Sequence, residues 1–193
     1  MNFCPRCGSP VTIEIPPGDT RERHVCTACD SIHYDNPRNV VGTIPLWEDK
    51  VLLCKRAIQP RLGFWTLPAG FLEVNETTQD GAQRETLEEA GAHVEIGPLF
   101  SLLNVTHAEQ VHLFYLAKMH EPVFSAGIES LEVALFSEED IPWDDIAFPT
   151  VTKTLQWFFA DRHAGRLSQQ QSIATHLHDI GFDERVDRPY KKK

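Results

Sequence analysis

Two sets of side chains in this 193-residue sequence have types and spacings that do chemistry. The first is four cysteines in two tight pairs, Cys4-Pro-Arg-Cys7 and Cys26-Thr-Ala-Cys29. Two such knuckles offer four soft thiolates, which close a tetrahedron around zinc with bonds of about 2.3 Å. All four corners are cysteine, so no open position remains for catalysis and the ion reads as structural. A redox pair shares the CxxC spacing, but two pairs occur and no thioredoxin-like βαβ pattern surrounds them. Gly8 follows the first knuckle, where a tight turn favours a residue without Cβ. Arg6, Arg21 and Arg23 would ease the crowding of four thiolates. The second set is Glu85, Glu88 and Glu89. On a helix these offsets put three carboxylates in one sector within about one turn. Like charges so placed destabilise an isolated helix unless a cation offsets them, and oxygen-only ligands select hard ions such as Mg²⁺ or Mn²⁺. A solvated acidic helix face has the same spacing, and charge spacing alone leaves both readings open.

The elements that must carry these residues can be traced from patterning. The cysteine segment holds few apolar residues (Val11, Ile13, Ile15, Val25 and Ile32), so metal binding would supply its folding free energy. It reads as a ribbon: a strand over 11–15, a turn at Pro16-Pro17-Gly18-Asp19 and a strand over 23–26. The turn cluster Asp35-Asn36-Pro37 predicts its boundary, giving residues 1–36 for the ribbon. Next come strands over 40–46 and 51–54, joined at Glu48-Asp49-Lys50, and the break Pro68-Ala69-Gly70. The glutamates fall on a helix over 78–90, with Thr77 as N-cap, Asp80 in the first turn and Gly91 as the stop. Ala82, Thr86, Leu87 and Ala90 are expected to pack on a sheet, and Gly81 to leave room for a ligand beside the carboxylates. Strands are expected over 99–103, 111–117 and 131–136, a helical turn from Ser137, and a last amphipathic helix over 150–162. Residues 37–165 are expected to form the main domain, and 166–193, with Gln169-Gln170-Gln171 and Lys191-Lys192-Lys193, a polar tail that is loosely ordered or draped on a partner. Cys54, inside Val51-Leu52-Leu53-Cys54, reads as a buried, inert thiol.

Composition narrows the function classes. Charged residues are 24% and apolar residues 41%, which fits a globular chain with a core of its own. The net charge of −10 argues against a broad nucleic-acid surface. No apolar run reaches the roughly 20 residues of a membrane helix. No charged-then-apolar leader opens the sequence, and a cytoplasmic setting with reduced thiols is expected.

Gly70-x5-Glu76-x7-Arg84-Glu85-Thr86-x-Glu88-Glu89-x-Gly91-Ala92 resembles the Nudix box, GX5EX7REUXEEXGU, with every fixed position met. Thr86 takes an aliphatic slot, where its hydroxyl must find a partner. The resemblance implies a Nudix α/β/α sandwich with a mixed sheet, preceded by a small N-terminal zinc ribbon. It implies that Glu85, Glu88, Glu89 and the carbonyl of Ala69 hold divalent ions. Gly70, Glu76, Arg84 and Gly91 would be structural, with Arg84 orienting a catalytic glutamate. Asn36-Pro37, Val40-Val41-Gly42, Lys55-Arg56, Gly63-Phe64-Trp65-Thr66 and Glu129-Ser130-Leu131-Glu132 extend the likeness to a zinc-ribbon subgroup that includes FAD and ADP-ribose pyrophosphatases.

That resemblance implies hydrolysis of a nucleoside diphosphate linked to another moiety, first FAD or ADP-ribose, giving AMP plus FMN or ribose 5-phosphate. Arg56 is the expected phosphate clamp, and Phe64 and Trp65 are candidates to stack a base or flavin. The general base is expected from Glu85 or from a later loop, with Glu132 ranked ahead of Glu129. His107 and His112 show no catalytic spacing. The alternative is an NADH pyrophosphatase or NAD-cap hydrolase. That group usually carries an SQPWPFPxS stretch after the box, and residues 92–119 hold nothing similar. A non-catalytic nucleotide- or nucleic-acid-binding protein is the other alternative, opposed by the intact glutamates and the acidic charge. A nucleotide-type small molecule is the expected partner, and a homodimer is compatible with the family.

Overall fold

The computed structural model describes residues 1–167 and the backbone of 176–180. It divides into two compact units, Met1–Pro37 and Arg38–Lys193. The first is an antiparallel sheet of β1 (Val11–Glu14), β2 (Arg23–Cys26) and β3 (Ile32–His33). The third strand is too short to show a period in the sequence. The two knuckles are built alike. Cys4 N–H donates to Ser9 O and Gly8 N–H to Cys4 O; Cys26 N–H donates to Ser31 O and Asp30 N–H to Cys26 O. Gly8 and Asp30 take the same left-handed turn position, at φ of 76° and 56°.

The second unit is an eight-stranded mixed sheet in the order β10-β5-β4-β9-β8-β11. Its strands are β4 (Arg38–Trp47), β5 (Lys50–Arg56), β8 (Val94–Val105), β9 (Gln110–Met119), β10 (Ser130–Phe136) and β11 (His176–Ile180). Two short strands, β6 (Trp65–Thr66) and β7 (Ala69–Phe71), pair off the main path with β5 and β4. The helices are α1 (Thr78–Ala90) and α2 (Pro149–His163). Short 3₁₀ turns lie at Thr106–Ala108, Glu138–Asp140 and Trp143–Asp145.

Successive strand residues point to opposite faces, and the apolar clusters divide accordingly. Leu53 and Phe114 pack with Val151, Leu155 and Phe158 of α2, whereas Leu52 and Cys54 pack with Ala90 of α1, and Tyr115 with its Ala82. The sheet is thus covered by a helix on each side, the expected sandwich. Cys54 is buried, and burial next to Glu89 raises its thiol well above the ordinary value. Thr86 is fully buried, and its hydroxyl donates to Ala82 O at 2.7 Å and meets the Thr43 hydroxyl at 2.6 Å.

Two expectations need correction. Leu87 is 44% exposed, because it lies at the edge of the helix face that Ala82, Thr86 and Ala90 bury. The tail contributes a strand, since His176–Ile180 pairs in parallel with Ser101–Val105 of β8. Two leucine or isoleucine positions in five residues carry little periodic signal; the free edge of β8 supplies the pairing. The glutamine and lysine runs at 169–171 and 191–193 lie outside the described residues.

Candidate active site

The glutamate helix is fixed at both ends by local chemistry. Asp80 N–H donates to the Thr77 hydroxyl at 3.1 Å, and Thr77 N–H donates back to Asp80 Oδ2, a reciprocal cap. At the other end Gly91 turns left-handed at φ 57° and returns its N–H to Leu87 O. A later loop adds to this end. Ser125 N–H donates to Ala90 O at 2.8 Å and Gly127 N–H to Glu89 O at 3.1 Å. A Cβ on Gly127 would collide with the Glu88 carbonyl, so only glycine allows the loop this close.

On this helix Glu85 and Glu89 are buried, at 9% and 7% exposure, while Glu88 faces solvent. Burial raises both buried carboxyls, and Glu89 reaches about 7. The Glu89 carboxylate accepts the Ala69 N–H at 3.0 Å, which opposes that rise; its neighbours Glu85 and Glu129 reinforce it. Arg84 organises the rest. Its Nη1 donates to Glu85 at 2.7 Å and Glu88 at 3.1 Å, its Nε and Nη2 to Glu76, and Nη2 also to Phe71 O. The guanidinium holds Glu76 down at about 2. Gly70, which pairs with Val41 through β7, presses against Glu85: a Cβ there would land on the Glu85 carboxylate. Gly81 does not make room for a ligand, contrary to expectation. The space a Cβ would occupy is filled by Glu76 Oε1, Leu72 and Val41.

The residues expected from outside the helix fall into two groups. Arg56, at the end of β5, is half-buried; burial lowers its guanidinium while Glu89 and Glu129 pull it back up. Glu129 thus acts electrostatically on Glu85, Glu89 and Arg56 alike. Its carbonyl accepts Ala57 N–H at 2.8 Å, which ties its loop to the end of β5. Glu132 lies instead opposite Lys55 across β10 and β5, with an ion pair at 3.4 Å. Of the two, Glu129 is the one whose charge acts on the cluster, while Glu132 is paired with Lys55. The two aromatics also part. Trp65 is buried in the core, edge-on to Phe136 at 4.8 Å, whereas Phe64 is half-buried with Arg61 over its ring.

The cysteine set converges as its expected ion requires, and the glutamate set matches its ion in donor chemistry. The four thiol sulfurs Cys4, Cys7, Cys26 and Cys29 lie within 4.8 Å of one another. Corner separations of 3.8 Å (Cys4 to Cys29) and 3.4 Å (Cys7 to Cys26) are close to the roughly 3.8 Å edge of a zinc–thiolate tetrahedron. A hydrogen bond from Ser31 lowers the Cys29 thiol to about 6, favouring the thiolate a metal needs. Arg23, expected near the thiolates, is engaged by Asp19 at 2.8 Å and lies over Tyr34. The helix offers oxygen donors only, two of them buried and mutually repelling, an arrangement a hard divalent cation relieves.

Sequence reasoning missed Gly127. The glycine in Ser125-Ala126-Gly127 was the one signal for it.

Comparison with known proteins agrees with this geometry. Residues 2–35 match the model of the Nudix N-terminal zinc ribbon, and residues 36–158 match the NUDIX domain. The crystal structure of a NUDIX hydrolase from Nitrosomonas europaea is 51% identical, with a TM-score of 0.87, over 93% of this chain and 99% of that one. The NAD-capped RNA hydrolase NudC of Photobacterium profundum is 25% identical over 172 residues, covering 86% of this chain and 63% of that protein. An ADP-ribose pyrophosphatase from Streptococcus suis shares the fold at 21% identity and TM-score 0.54, over 75% of this chain and 100% of that one. The chain spans less than two thirds of the length of the curated relatives it matches. Among the described residues no helix is long and apolar enough to cross a membrane.

Proposed function

The chain belongs to the Nudix hydrolase family, its zinc ribbon included, and from that premise we propose that it cleaves the diphosphate of an NAD-type dinucleotide, releasing AMP. The observation that carries the diphosphate chemistry is the grouping of Glu85, Glu88 and Glu89 with a half-buried Arg56 that no carboxylate among the described residues engages directly. Relatives named as NAD-capped RNA hydrolases favour the NAD-type substrate over FAD or ADP-ribose. They also bring NAD-capped RNA into consideration, despite the acidic net charge. ADP-ribose or FAD is the second reading, favoured by the absence of an SQPWPFPxS-like stretch in residues 92–119.

In this reading Glu85, Glu88 and Glu89, with the Ala69 carbonyl, hold Mg²⁺ or Mn²⁺. Cys4, Cys7, Cys26 and Cys29 hold a structural Zn²⁺. The divalent ions supply charge neutralisation at the phosphates and a water of lowered pKa. Arg56 binds a phosphate oxygen and orients the diphosphate. Arg84 sets the directions of the Glu85 and Glu88 carboxylates through its Nη1 bonds. Glu129 takes the proton from the attacking water, with Glu85 its rival. The water oxygen bonds to one phosphorus, the bridging P–O bond breaks, and the bridging oxygen leaves with the other phosphate. The products from NADH are AMP and reduced nicotinamide mononucleotide. Phe64 offers the stacking surface. Reduced thiols suit a cytoplasmic setting, and a homodimer is consistent with the family.

Chromatographic product analysis tests the proposal. The full chain with Mg²⁺ is incubated separately with NADH, NAD-capped RNA, ADP-ribose and FAD. Preferential release of AMP from NADH, or cap removal from the RNA, is the expected result. Preference for ADP-ribose or FAD would move the chain to the second reading. No cleavage of any of the four would defeat both.

A further inference from the structure

We propose that Phe148 is a positioning residue: its ring holds the Arg56 guanidinium in the orientation that binds the diphosphate. The inference rests on the reading of Arg56 given above. The guanidinium carbon lies 5.1 Å over the centre of the Phe148 ring. Arg56 Nε donates to the Pro60 carbonyl at 2.8 Å. The ring supports the guanidinium from one side, and the Nε bond ties its inner edge to the Pro60 carbonyl. What remains is the edge carrying Nη1 and Nη2. Among the described residues neither nitrogen makes a hydrogen bond or ion pair, although Glu89 and Glu129 lie near enough for their charges to act on it.

Arg84 shows the contrast within the same site. Its three nitrogens are all taken by Glu76, Glu85, Glu88 and Phe71. Arg84 is a brace, whereas Arg56 is an oriented fork with its outer donors open. A planar fork of two N–H donors matches two oxygens of a phosphate.

The ring is held from both sides along the chain. Before it, Ala147 N–H donates to Trp65 O at 2.8 Å, and Ile146 bridges to Trp65. After it, Pro149 opens α2, and the Phe148 carbonyl accepts the N–H groups of Val151 and Thr152, both at 3.1 Å. Phe148 itself occupies the N-cap of α2, where no side-chain cap is made. Serine, threonine, aspartate or asparagine would stabilise the helix there. An aromatic at this position gives up that cap; its ring packs at the edge of the main core and carries the Arg56 guanidinium over its face.

The test is a double-mutant cycle in the full chain with Mg²⁺, read by calorimetric binding of α,β-methylene-ADP, a diphosphate that resists cleavage. Arg56→Ala should weaken binding by about tenfold or more, as expected for a charge-assisted bond. Phe148→Leu should weaken it by about three- to tenfold through loss of the stack. In the Arg56→Ala background, Phe148→Leu should add little, and Phe148→Tyr should restore affinity in the otherwise unaltered chain. Phe148→Met replaces Phe148→Leu if melting shows the latter unfolded. Equal losses in both backgrounds, or no loss from Phe148→Leu (or from Phe148→Met in its place), would overturn the positioning role while leaving Arg56 as the clamp. No effect of Arg56→Ala, or no binding by the unaltered chain, would overturn the reading of Arg56 and this inference with it.

Discussion

The two metal-type sites of this protein are built in opposite ways. In the ribbon, four thiols converge within 4.8 Å, carried by a unit whose strands expose Ile13 and bury little besides Cys4, Cys26 and Val25. In the Nudix unit, each glutamate is already held by the protein, Glu85 and Glu88 by Arg84 and Glu89 by Ala69 N–H, on a helix packed against a full core. The ribbon is expected to depend on an ion in order to fold, whereas the Nudix unit packs round apolar clusters and is expected to need an ion only for chemistry.

The largest expected effect separates the two directly. Chelation of zinc, or Cys26→Ser, should unfold residues 1–37, because structural zinc supplies on the order of 10–16 kcal/mol of apparent binding free energy. Hydrogen exchange should show protection lost in β1 to β3 and kept in β4, β5 and β9. Metal analysis should find about one zinc per chain. Retained protection in a zinc-free ribbon would erase the contrast.

Glu88→Gln is the converse. Glu88 is exposed, so the melting temperature should hold. Loss of one carboxylate ligand should lower kcat by at least about a hundredfold, the equivalent of several kcal/mol of transition-state stabilisation. Unchanged turnover would remove Glu88 from the metal set. A large fall in melting temperature would show that the glutamates also stabilise the fold.

How much of this was legible from sequence follows the same division. The helix Thr78–Ala90 was read to the residue, because Thr77, Asp80 and Gly91 are local signals that act within one turn. Both knuckles were equally local. β6 and β7 were not legible, since pairings of two and three residues are imposed by β5 and β4 rather than by any period. The placement of Glu129 and Glu132 was hidden for a related reason. Alternation alone cannot place them, because the pairing of β10 with β5 shifts register between Ser130 and Glu132. Such a bulge re-aims the side chains beside it, and here it leaves Glu132 opposite Lys55.

The Nudix unit should show its dependence on packing through acid sensitivity. His112 Nε2 donates to Gln110 Oε1 at 2.8 Å, while its Nδ1 is buried with no partner among the described residues. Burial lowers its pKa to about 4, so the folded state resists the proton that the unfolded chain accepts near pH 6.5. The unfolded state therefore binds more protons between those values. The stability held above pH 6.5 should fall as the pH drops towards 4, by up to about 3 kcal/mol. Denaturant midpoints of His112→Gln, compared with the unaltered chain across that range, measure the slope. Identical slopes would exclude His112 as its source.

The smallest expected effect concerns the one position where the box departs from its pattern. Thr86 lies where an aliphatic residue is usual, and the cost of its buried hydroxyl is offset by Thr43 and Ala82 O. Since the Thr86 hydroxyl proton is given to Ala82 O, Thr43 is the donor in the bond between the two hydroxyls. Thr86→Val removes that acceptor and leaves the Thr43 hydroxyl buried with nothing to receive its proton. The loss should be about 1–3 kcal/mol by urea denaturation, with kcat unchanged because Thr86 faces the sheet. Thr43→Val together with Thr86→Val removes both hydroxyls and should recover most of that loss, since two apolar groups of the same shape can replace a bonded pair at little cost. Additive losses in the double variant would mean that each hydroxyl is held by a partner other than its mate, and that this part of the helix–sheet contact is polar by requirement.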